Sequence, residues 1–169
     1  KVVWDGDEWR AVWITAAHDG SAVTRLGCGI VDRIAVTAVP AEVLELGGSQ
    51  GRAYIAWSSG HELRGTFVDR AGQASSPTGE LLLPMNTGST LLQIAMASLR
   101  DGSVVVATSR AQAASPFAWV RIDGTSETVG EVHLAGGVGS GGADMAMAVV
   151  NDHALLLAES PDLLRLPLF

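Results

Sequence analysis

One stretch of the chain decides the fold, and it reads Gly47-Gly48-Ser49-Gln50-Gly51-Arg52-Ala53-Tyr54-Ile55-Ala56-Trp57. Residues 47–51 are typical of a tight turn, because glycine adopts the positive φ angles that short hairpins require. Residues 52–57 are mostly apolar at successive positions, as in a middle strand that is buried on both faces. The stretch therefore predicts a β-hairpin whose second strand lies inside stacked sheets.

The same arrangement recurs along the sequence. Turn residues that separate two apolar runs also occur at 5–7, 100–103 and 151–152. The apolar runs that follow these turns are residues 9–14, 103–108 and 154–158. No segment keeps a helical periodicity for more than two turns, so the sequence predicts an all-β chain.

A second recurring feature is a hydrophobic residue followed by aspartate, at Val31-Asp32, Val68-Asp69 and Ile122-Asp123. We interpret each pair as the end of the third strand of a unit. Self-similarity with a period in the forties indicates an array, and all-β units indicate propeller blades. Over nearly its whole length the chain resembles β-propeller repeat proteins, in architecture and without matching a particular subfamily.

The resemblance implies about four antiparallel blades, at residues 1–39, 40–84, 85–134 and 135–169. These form a single β-propeller-like domain or part of a larger propeller. The first three blades have four predicted strands and the last has three, so the last blade is incomplete. An open sheet edge is normally covered or paired. Either the chain is a piece of a longer protein or another chain supplies the strand; a closed four-bladed ring and a sandwich are the alternatives.

Charge and composition exclude several classes of partner. The net charge is -7, Lys1 is the only lysine, and the arginines are scattered. Nucleic acids and anionic membrane surfaces are bound by clustered basic residues, so we expect neither. No apolar run approaches the roughly 18 residues of a membrane helix, so membrane insertion is not expected.

Composition also bears on the source, while the compartment stays open. Alanine, glycine, valine and arginine are plentiful and lysine is nearly absent, which is typical of a bacterium with high genomic GC. Cys28 is the only cysteine, so there is no intrachain disulfide and no cysteine zinc site. A single cysteine fits both the cytoplasm and the bacterial exterior. We favour a secreted or cell-surface protein.

Motifs that suggest chemistry lack the surroundings that the chemistry needs. Residues 47–51 match G-x-S-x-G, but a strand follows where a nucleophile elbow needs a helix. Residues 137–142 match G-x-G-x-x-G without the βαβ setting of a dinucleotide site. Asp5, Asp7 and Glu8 give too few ligands for calcium. We therefore predict no catalytic residue, no cofactor and no metal site.

A binding face is predicted from loop positions. In a propeller, the loops between second and third strands and the loops between blades open on one face, and such loops usually carry binding sites. The polar residues expected on this face are His18, Asp19, His61, Asn86, Arg110, Glu159 and Asp162.

The tryptophans divide into two groups. Trp13 and Trp57 occupy equivalent strand positions, so we expect them to pack in the core. Trp4, Trp9 and Trp119 are candidates for exposed rings on which a sugar would stack. His133 and His153 lie in or beside strands, where we expect them to be packed or hydrogen-bonded.

These observations predict a non-catalytic binding or assembly module, with a protein partner or a second copy at the incomplete last blade. Two alternatives remain open. The chain is the substrate-binding part of a β-propeller hydrolase or lyase, or it is a carbohydrate-binding lectin.

Overall fold

A computed structural model describes the backbone of most of the chain. The described residues are 1–4, 6–7, 9–14, 21–26, 31–37, 43–59, 62–71, 73–84, 90–111, 117–135, 145–158 and 163–165. They form β-strands, turns and bends, and no helix occurs among them. The strands pair antiparallel in four sheets, and within each sheet neighbours in the chain are neighbours in space. The prediction of an all-β chain of antiparallel sheets is confirmed.

Contacts divide the chain into two compact units, Lys1–Pro84 and Met85–Phe169. The first unit holds two four-stranded sheets. The strands of sheet 1 are β1 (Val2–Trp4), β2 (Trp9–Ile14), β3 (Ser21–Leu26) and β4 (Val31–Thr37). The strands of sheet 2 are β5 (Leu44–Ser49), β6 (Arg52–Ser59), β7 (Glu62–Val68) and β8 (Glu80–Pro84).

The second unit holds a four-stranded sheet and, among the described residues, a three-stranded one. The strands of sheet 3 are β9 (Thr90–Ser98), β10 (Val104–Ala111), β11 (Phe117–Ile122) and β12 (His133–Ala135). The strands of sheet 4 are β13 (Met145–Val150), β14 (His153–Ala158) and β15 (Leu163–Arg165).

The turns predicted from glycine, asparagine and aspartate are tight hairpins. Gln50 and Gly51 connect β5 to β6 with φ angles of 51° and 76°. Asn151 and Asp152 connect β13 to β14 with φ angles of 51° and 61°. Two consecutive positive φ angles match the right-handed twist of the paired strands. The G-x-S-x-G string is thus a hairpin, as its following strand predicts.

Two of the three hydrophobic-aspartate pairs end a third strand. Asp69 follows β7, and its Oδ1 accepts a hydrogen bond of 2.8 Å from the backbone N–H of Gln73. Asp123 follows β11, and its Oδ1 accepts bonds of 2.8 Å from the N–H groups of Thr125 and Ser126. Each aspartate accepts hydrogen bonds from backbone N–H groups that have no strand partner in the turn. The recurring pair is therefore a turn-forming device.

The interpretation of Val31-Asp32 as the third such pair is wrong. In sheet 1 the third strand ends at Leu26, and Val31 opposes Leu26 as the first residue of β4. The apolar alternation continues through both strands, so it does not mark the point at which the chain reverses. Glycines on either side of Cys28 are the better turn signal in this segment.

The core of the first unit lies between its two sheets. Val3 and Val12 of sheet 1 pack on the face of sheet 2 formed by Leu46, Ile55 and Trp57. Trp57 is fully buried, as its position predicts.

The core of the second unit has the same layout. Small residues of sheet 3 and the ring of Trp119 meet side chains from β13 and β14. The residues of sheet 3 in this cluster are Ala95, Ala97, Leu99, Val105, Ala107 and Trp119. The residues of sheet 4 that meet them are Met145, Met147, Ala154 and Leu156. Each unit is thus a pair of sheets packed face to face.

Candidate functional site

The predicted loop face falls almost entirely outside the described residues. This applies to His18, Asp19, His61, Asn86, Glu159 and Asp162. Arg110 is described and lies near the end of β10, where the register to β9 shifts at a bulge. It is partly buried, and this burial lowers the pKa of its guanidinium. The grouping of these residues on one face stays a prediction.

The first candidate surface is an apolar face of sheet 1. In β1 and β2, Val2 opposes Ala11 and Trp4 opposes Trp9, so these four residues share one side of the sheet. Val2 is 59% exposed, Trp4 48% and Trp9 51%. The two indole rings meet edge to face, with centroids 5.5 Å apart at 66°. We call Val2, Trp4, Trp9 and Ala11 the tryptophan face.

The opposite side of the same strands is covered. Val3 and Val12 pack on sheet 2. Arg10, which opposes Val3 on this side, is fully buried. Alternation along β1 and β2 therefore sends one set of side chains into the core and the other set into solvent. The strands are apolar on both sides, as in a strand with sheets above and below. Two adjacent indole rings that are each half exposed are unusual on the surface of a monomeric protein.

The second candidate surface belongs to sheet 4. Ala148 opposes Leu155, and Ala146 and Val150 lie on the same side of β13. The register also places His153 opposite Val150 and Arg165 opposite Leu155. Both alanines are exposed, Val150 is 49% exposed, and Leu155 is half-buried. The other side of β13 and β14 packs on sheet 3. We call Ala146, Ala148, Val150 and Leu155 the alanine face.

Sheet 4 also has an unpaired edge in the part of the chain that the structure describes. β15 has three residues and pairs with β14 alone. Sheets 1 to 3 each have a fourth strand at the corresponding position. An edge without a partner presents backbone donors and acceptors to any strand that can pair with it. The alanine face and this edge thus belong to the same sheet.

A groove of about 430 Å³ lies on the outer part of sheet 3. Its lining residues come from β11, from the following turn and from the start of β12. They are Trp119, Arg121, Asp123, Thr128, Gly130, Glu131 and His133. The rings of Trp119 and His133 are stacked, with centroids 4.0 Å apart and planes at 13°. Cross-strand pairing of these two residues explains the stacking.

Hydrogen bonds to residues in neighbouring turns fix the charged side chains of the groove. Arg121 Nη2 donates to Asp101 Oδ2 at 2.5 Å and to Ser103 Oγ at 3.2 Å. Hydrogen bonds from Ser126 and Thr125 lower the pKa of Asp123, so its carboxylate is ionised at neutral pH. Glu131 adds a further exposed carboxylate. The groove therefore combines an aromatic wall, a fixed guanidinium and hydrogen-bond acceptors.

The other residues singled out from the sequence have structural roles where they are described. Asp7 forms an ion pair with Arg70, which connects a turn of sheet 1 to a turn of sheet 2. His153 Nδ1 lies 2.7 Å from the carbonyl oxygen of Asn151. Trp119 is 7% exposed, so most of its ring is unavailable to a ligand. Outside the described part of the chain lie Asp5, Glu8, residues 137–142 and the side chain of Trp13.

The described ranges contain no group of three or more histidine, cysteine, aspartate or glutamate side chains placed to hold a metal ion. They contain no helix of the length and apolarity needed to cross a bilayer.

Sequence reasoning missed the two exposed sheet faces. It identified Trp4 and Trp9 as candidates for exposed rings on which a sugar would stack, and not as parts of a sheet face. The available signal was the alternation of β1 and β2, which places Trp4 and Trp9 on the side opposite to Val3 and Val12.

The sequence was compared with models of protein families and with curated proteins, and neither comparison finds a match.

Proposed function

We propose that this chain is a non-catalytic assembly module in which blades of propeller type are joined through their sheet faces. Meandering antiparallel sheets, packed face to face in a pair within each unit, support the propeller part of the proposal. The assembly part rests on one observation. Sheets 1 and 4, which hold the first and last described strands of the chain and are called the end sheets here, each carry exposed apolar residues.

The energetic argument uses the tryptophan face. An indole side chain buries 150–250 Å² when fully covered, and Trp4 and Trp9 are each about half exposed. At about 25 cal/mol per Å², covering the exposed half of one ring contributes roughly 2–3 kcal/mol. Two such rings, with Val2 beside them, are a sufficient anchor for a protein partner, since interfaces draw most of their affinity from a few aromatic residues.

Acrylamide quenching of tryptophan fluorescence tests this proposal. When assembly covers Trp4 and Trp9, quenching of the wild-type chain is expected to fall as the protein concentration rises. The double variant Trp4→Ser/Trp9→Ser should lose this concentration dependence. Leu134→Ser is the matched control, because Leu134 is 60% exposed and lies on neither end-sheet face. Quenching of the wild type that stays constant from low to high concentration would contradict assembly through this face.

Carbohydrate binding in the groove of sheet 3 is a second candidate function. The His133 ring, which stacks on the buried ring of Trp119, supplies an apolar wall, while Arg121, Asp123 and Glu131 supply donors and acceptors for hydroxyl groups. Sugar sites combine these two kinds of group because a pyranose ring has an apolar face and a polar rim. The groove volume of about 430 Å³ is within the range of small-molecule sites.

Titration with neutral oligosaccharides, followed by tryptophan fluorescence, tests this candidate. Binding in the groove should change the Trp119 emission, and His133→Ala should weaken the response at least tenfold. His153→Ala is the matched control, because His153 is exposed on sheet 4 and does not line the groove. An equal response in the wild type and both variants would place any sugar outside the groove.

A further inference from the structure

We propose that the groove of sheet 3 binds an amino sugar, whose protonated amine pairs with the carboxylates of Asp123 and Glu131. This inference rests on the second candidate function, carbohydrate binding in the groove, and adds the class of sugar to it. It does not depend on assembly through the end sheets. The backbone that opens the groove, the balance of its charges and the position of its acceptor atoms all favour this class of ligand.

A glycine in the segment before β12 opens the groove. The N–H of Gly130 donates to the carbonyl oxygen of Arg121 at 2.8 Å, and the N–H of Asp123 donates to that of Thr128 at 3.0 Å. These two bonds flank an isolated antiparallel bridge, so Gly130 lies opposite Arg121 on the groove side of the sheet. Because glycine has no side chain, a space remains between Thr128 and the ring of His133.

A bulge in the same segment brings a carboxylate residue to this space. The pairing of β12 sets Trp119 opposite His133, whereas the bridge sets Ile122 opposite Val129. Three residues, 130–132, therefore face two residues of β11, which is the count of a β-bulge. Strict alternation from the glycine at 130 would send Glu131 to the other side of the sheet, but at the bulge it lines the groove.

The charges of the groove favour a cation. Arg121 is the one arginine or lysine among the lining residues, and its guanidinium already donates to Asp101 and Ser103. Asp123 and Glu131 are exposed carboxylates in the same lining. One guanidinium thus lies among three carboxylates, one of which holds it in place. Uronic acids and sugar phosphates would meet a net negative charge here, so an anionic sugar is disfavoured.

The turn after β11 leaves acceptor atoms for a ligand. Oδ1 of Asp123 accepts bonds from the N–H groups of Thr125 and Ser126 at 2.8 Å and from the Ser126 hydroxyl at 3.0 Å. Within the described part of the chain, Oδ2 of Asp123 has no hydrogen-bond partner and Glu131 forms no ion pair. A protonated amine donates three hydrogen bonds, and charge-assisted bonds are stronger than those of a neutral hydroxyl group.

The aromatic wall indicates that the amine belongs to a ring and not to a small inorganic ion. His133 is half-buried and stacks on Trp119 with centroids 4.0 Å apart, which fixes the plane of its ring. A pyranose ring can lay its apolar face on such a wall while its polar substituents reach the carboxylates. A metal ion would leave the wall unused, and the described residues contain no group of three ligands for one.

Two oligosaccharides that differ in charge test the inference. The probes are the tetramer of glucosamine and the tetramer of N-acetylglucosamine, titrated calorimetrically into the full chain at low salt and at a pH that protonates the amines. The glucosamine tetramer should bind about tenfold more tightly, because two exposed carboxylates act on its amines. Glu131→Gln keeps the size of the side chain and removes its charge. It should weaken binding of the glucosamine tetramer about two- to fivefold and leave binding of the acetylated tetramer unchanged.

Matched variants keep the outcomes distinct. Glu80→Gln removes the same charge from an exposed position outside the groove and should change neither affinity. Asp123→Asn is the second groove variant, because the amide oxygen can still accept the bonds of the turn, and it should act as Glu131→Gln does. Circular dichroism checks that each variant is folded.

Three results would contradict the inference. Binding of the acetylated tetramer that equals or exceeds that of the glucosamine tetramer would overturn the amino sugar and keep carbohydrate binding. Equal weakening by Glu80→Gln and Glu131→Gln would overturn it too, because it would show attraction to the acidic chain as a whole. No binding of either tetramer would overturn carbohydrate binding in the groove as well, and would leave assembly through the end sheets untouched.

Discussion

Sheets 2 and 3 differ from sheets 1 and 4 in the burial of strands of similar apolar character. In sheet 2 and sheet 3, residues 53–58 and 104–109 are buried throughout. In sheet 1 and sheet 4, strands of comparable apolar character bury one face within their own unit and expose the other. The difference lies in burial and not in the apolar character of the strands. An apolar face without a neighbour is therefore the feature to which we assign the function.

The sharpest contrast is between two tryptophans of the first unit. Trp57→Ala should lower the free energy of unfolding by about 3–5 kcal/mol, because it opens a cavity at a fully buried position. Trp9→Ala should lower it by a smaller amount, about 2 kcal/mol, because only half of its ring is covered, and it should also weaken assembly. Urea unfolding measures the first effect, and the concentration dependence of the native mass measures the second. Equal destabilisation by both substitutions would remove the distinction between core and docking face.

Two neighbouring leucines make the same comparison within sheet 4. Leu156 is 1% exposed and packs on sheet 3, whereas Leu155 is half-buried on the alanine face. Leu156→Ala should cost about 2–4 kcal/mol and Leu155→Ala about 1 kcal/mol in the isolated chain. Thermal unfolding at low concentration measures both. At high concentration Leu155→Ala should lose more stability than at low concentration, and the absence of this change would count against docking on the alanine face.

A close approach of two turns allows a test within sheet 3. A Cβ atom at Gly124 would overlap the backbone carbonyl of Gly102, in the turn between β9 and β10. Gly124→Ala should therefore destabilise the second unit by about 1–3 kcal/mol. Thr125→Ala, at the exposed neighbouring position, is the control. Because neither residue lies on an end-sheet face, assembly of the folded fraction should be the same for both variants.

The smallest expected effect is a dependence on pH in sheet 3. Burial acts to raise the pKa of Asp101, but hydrogen bonds from Ser103 and the charge of Arg121 hold the pKa below its ordinary value of 3.8. Since the folded-state pKa is the lower one, the carboxylate stabilises the fold above pH 3.8, and this contribution is lost as the pH falls through the folded-state pKa. Asp101→Asn should be less stable than the wild type at pH 7, and the gap should narrow toward pH 3 in urea unfolding. A gap that widens toward acid would contradict this assignment.

Local chemistry made much of the fold predictable. The hairpin at Gln50-Gly51 follows from the glycines around it, and the turns after β7 and β11 follow from Asp69 and Asp123, whose side chains bond to nearby backbone. The burial of Trp57 follows from a strand that is apolar on both sides. Val31-Asp32 was misread because it has the same composition but begins a strand.

The surfaces were less predictable, because they depend on what lies beyond each strand. The sequence shows that Trp4 and Trp9 are adjacent to a turn, but their exposure depends on sheet 1 having its one described neighbour, sheet 2, on the other side. The groove joins Arg121 to Asp101 and Trp119 to His133, pairs that are 20 and 14 positions apart and meet only through strand register. The predicted loop face, apart from Arg110, lies outside the described residues and keeps its status as a prediction.

The native mass of the wild-type chain, measured by light scattering after size-exclusion chromatography over a hundredfold range of concentration, addresses assembly most directly. We predict a particle of at least twice 17.5 kDa at high concentration that dissociates toward 17.5 kDa on dilution. A mass of 17.5 kDa at every concentration would contradict the proposal that the end sheets are docking faces between copies of this chain.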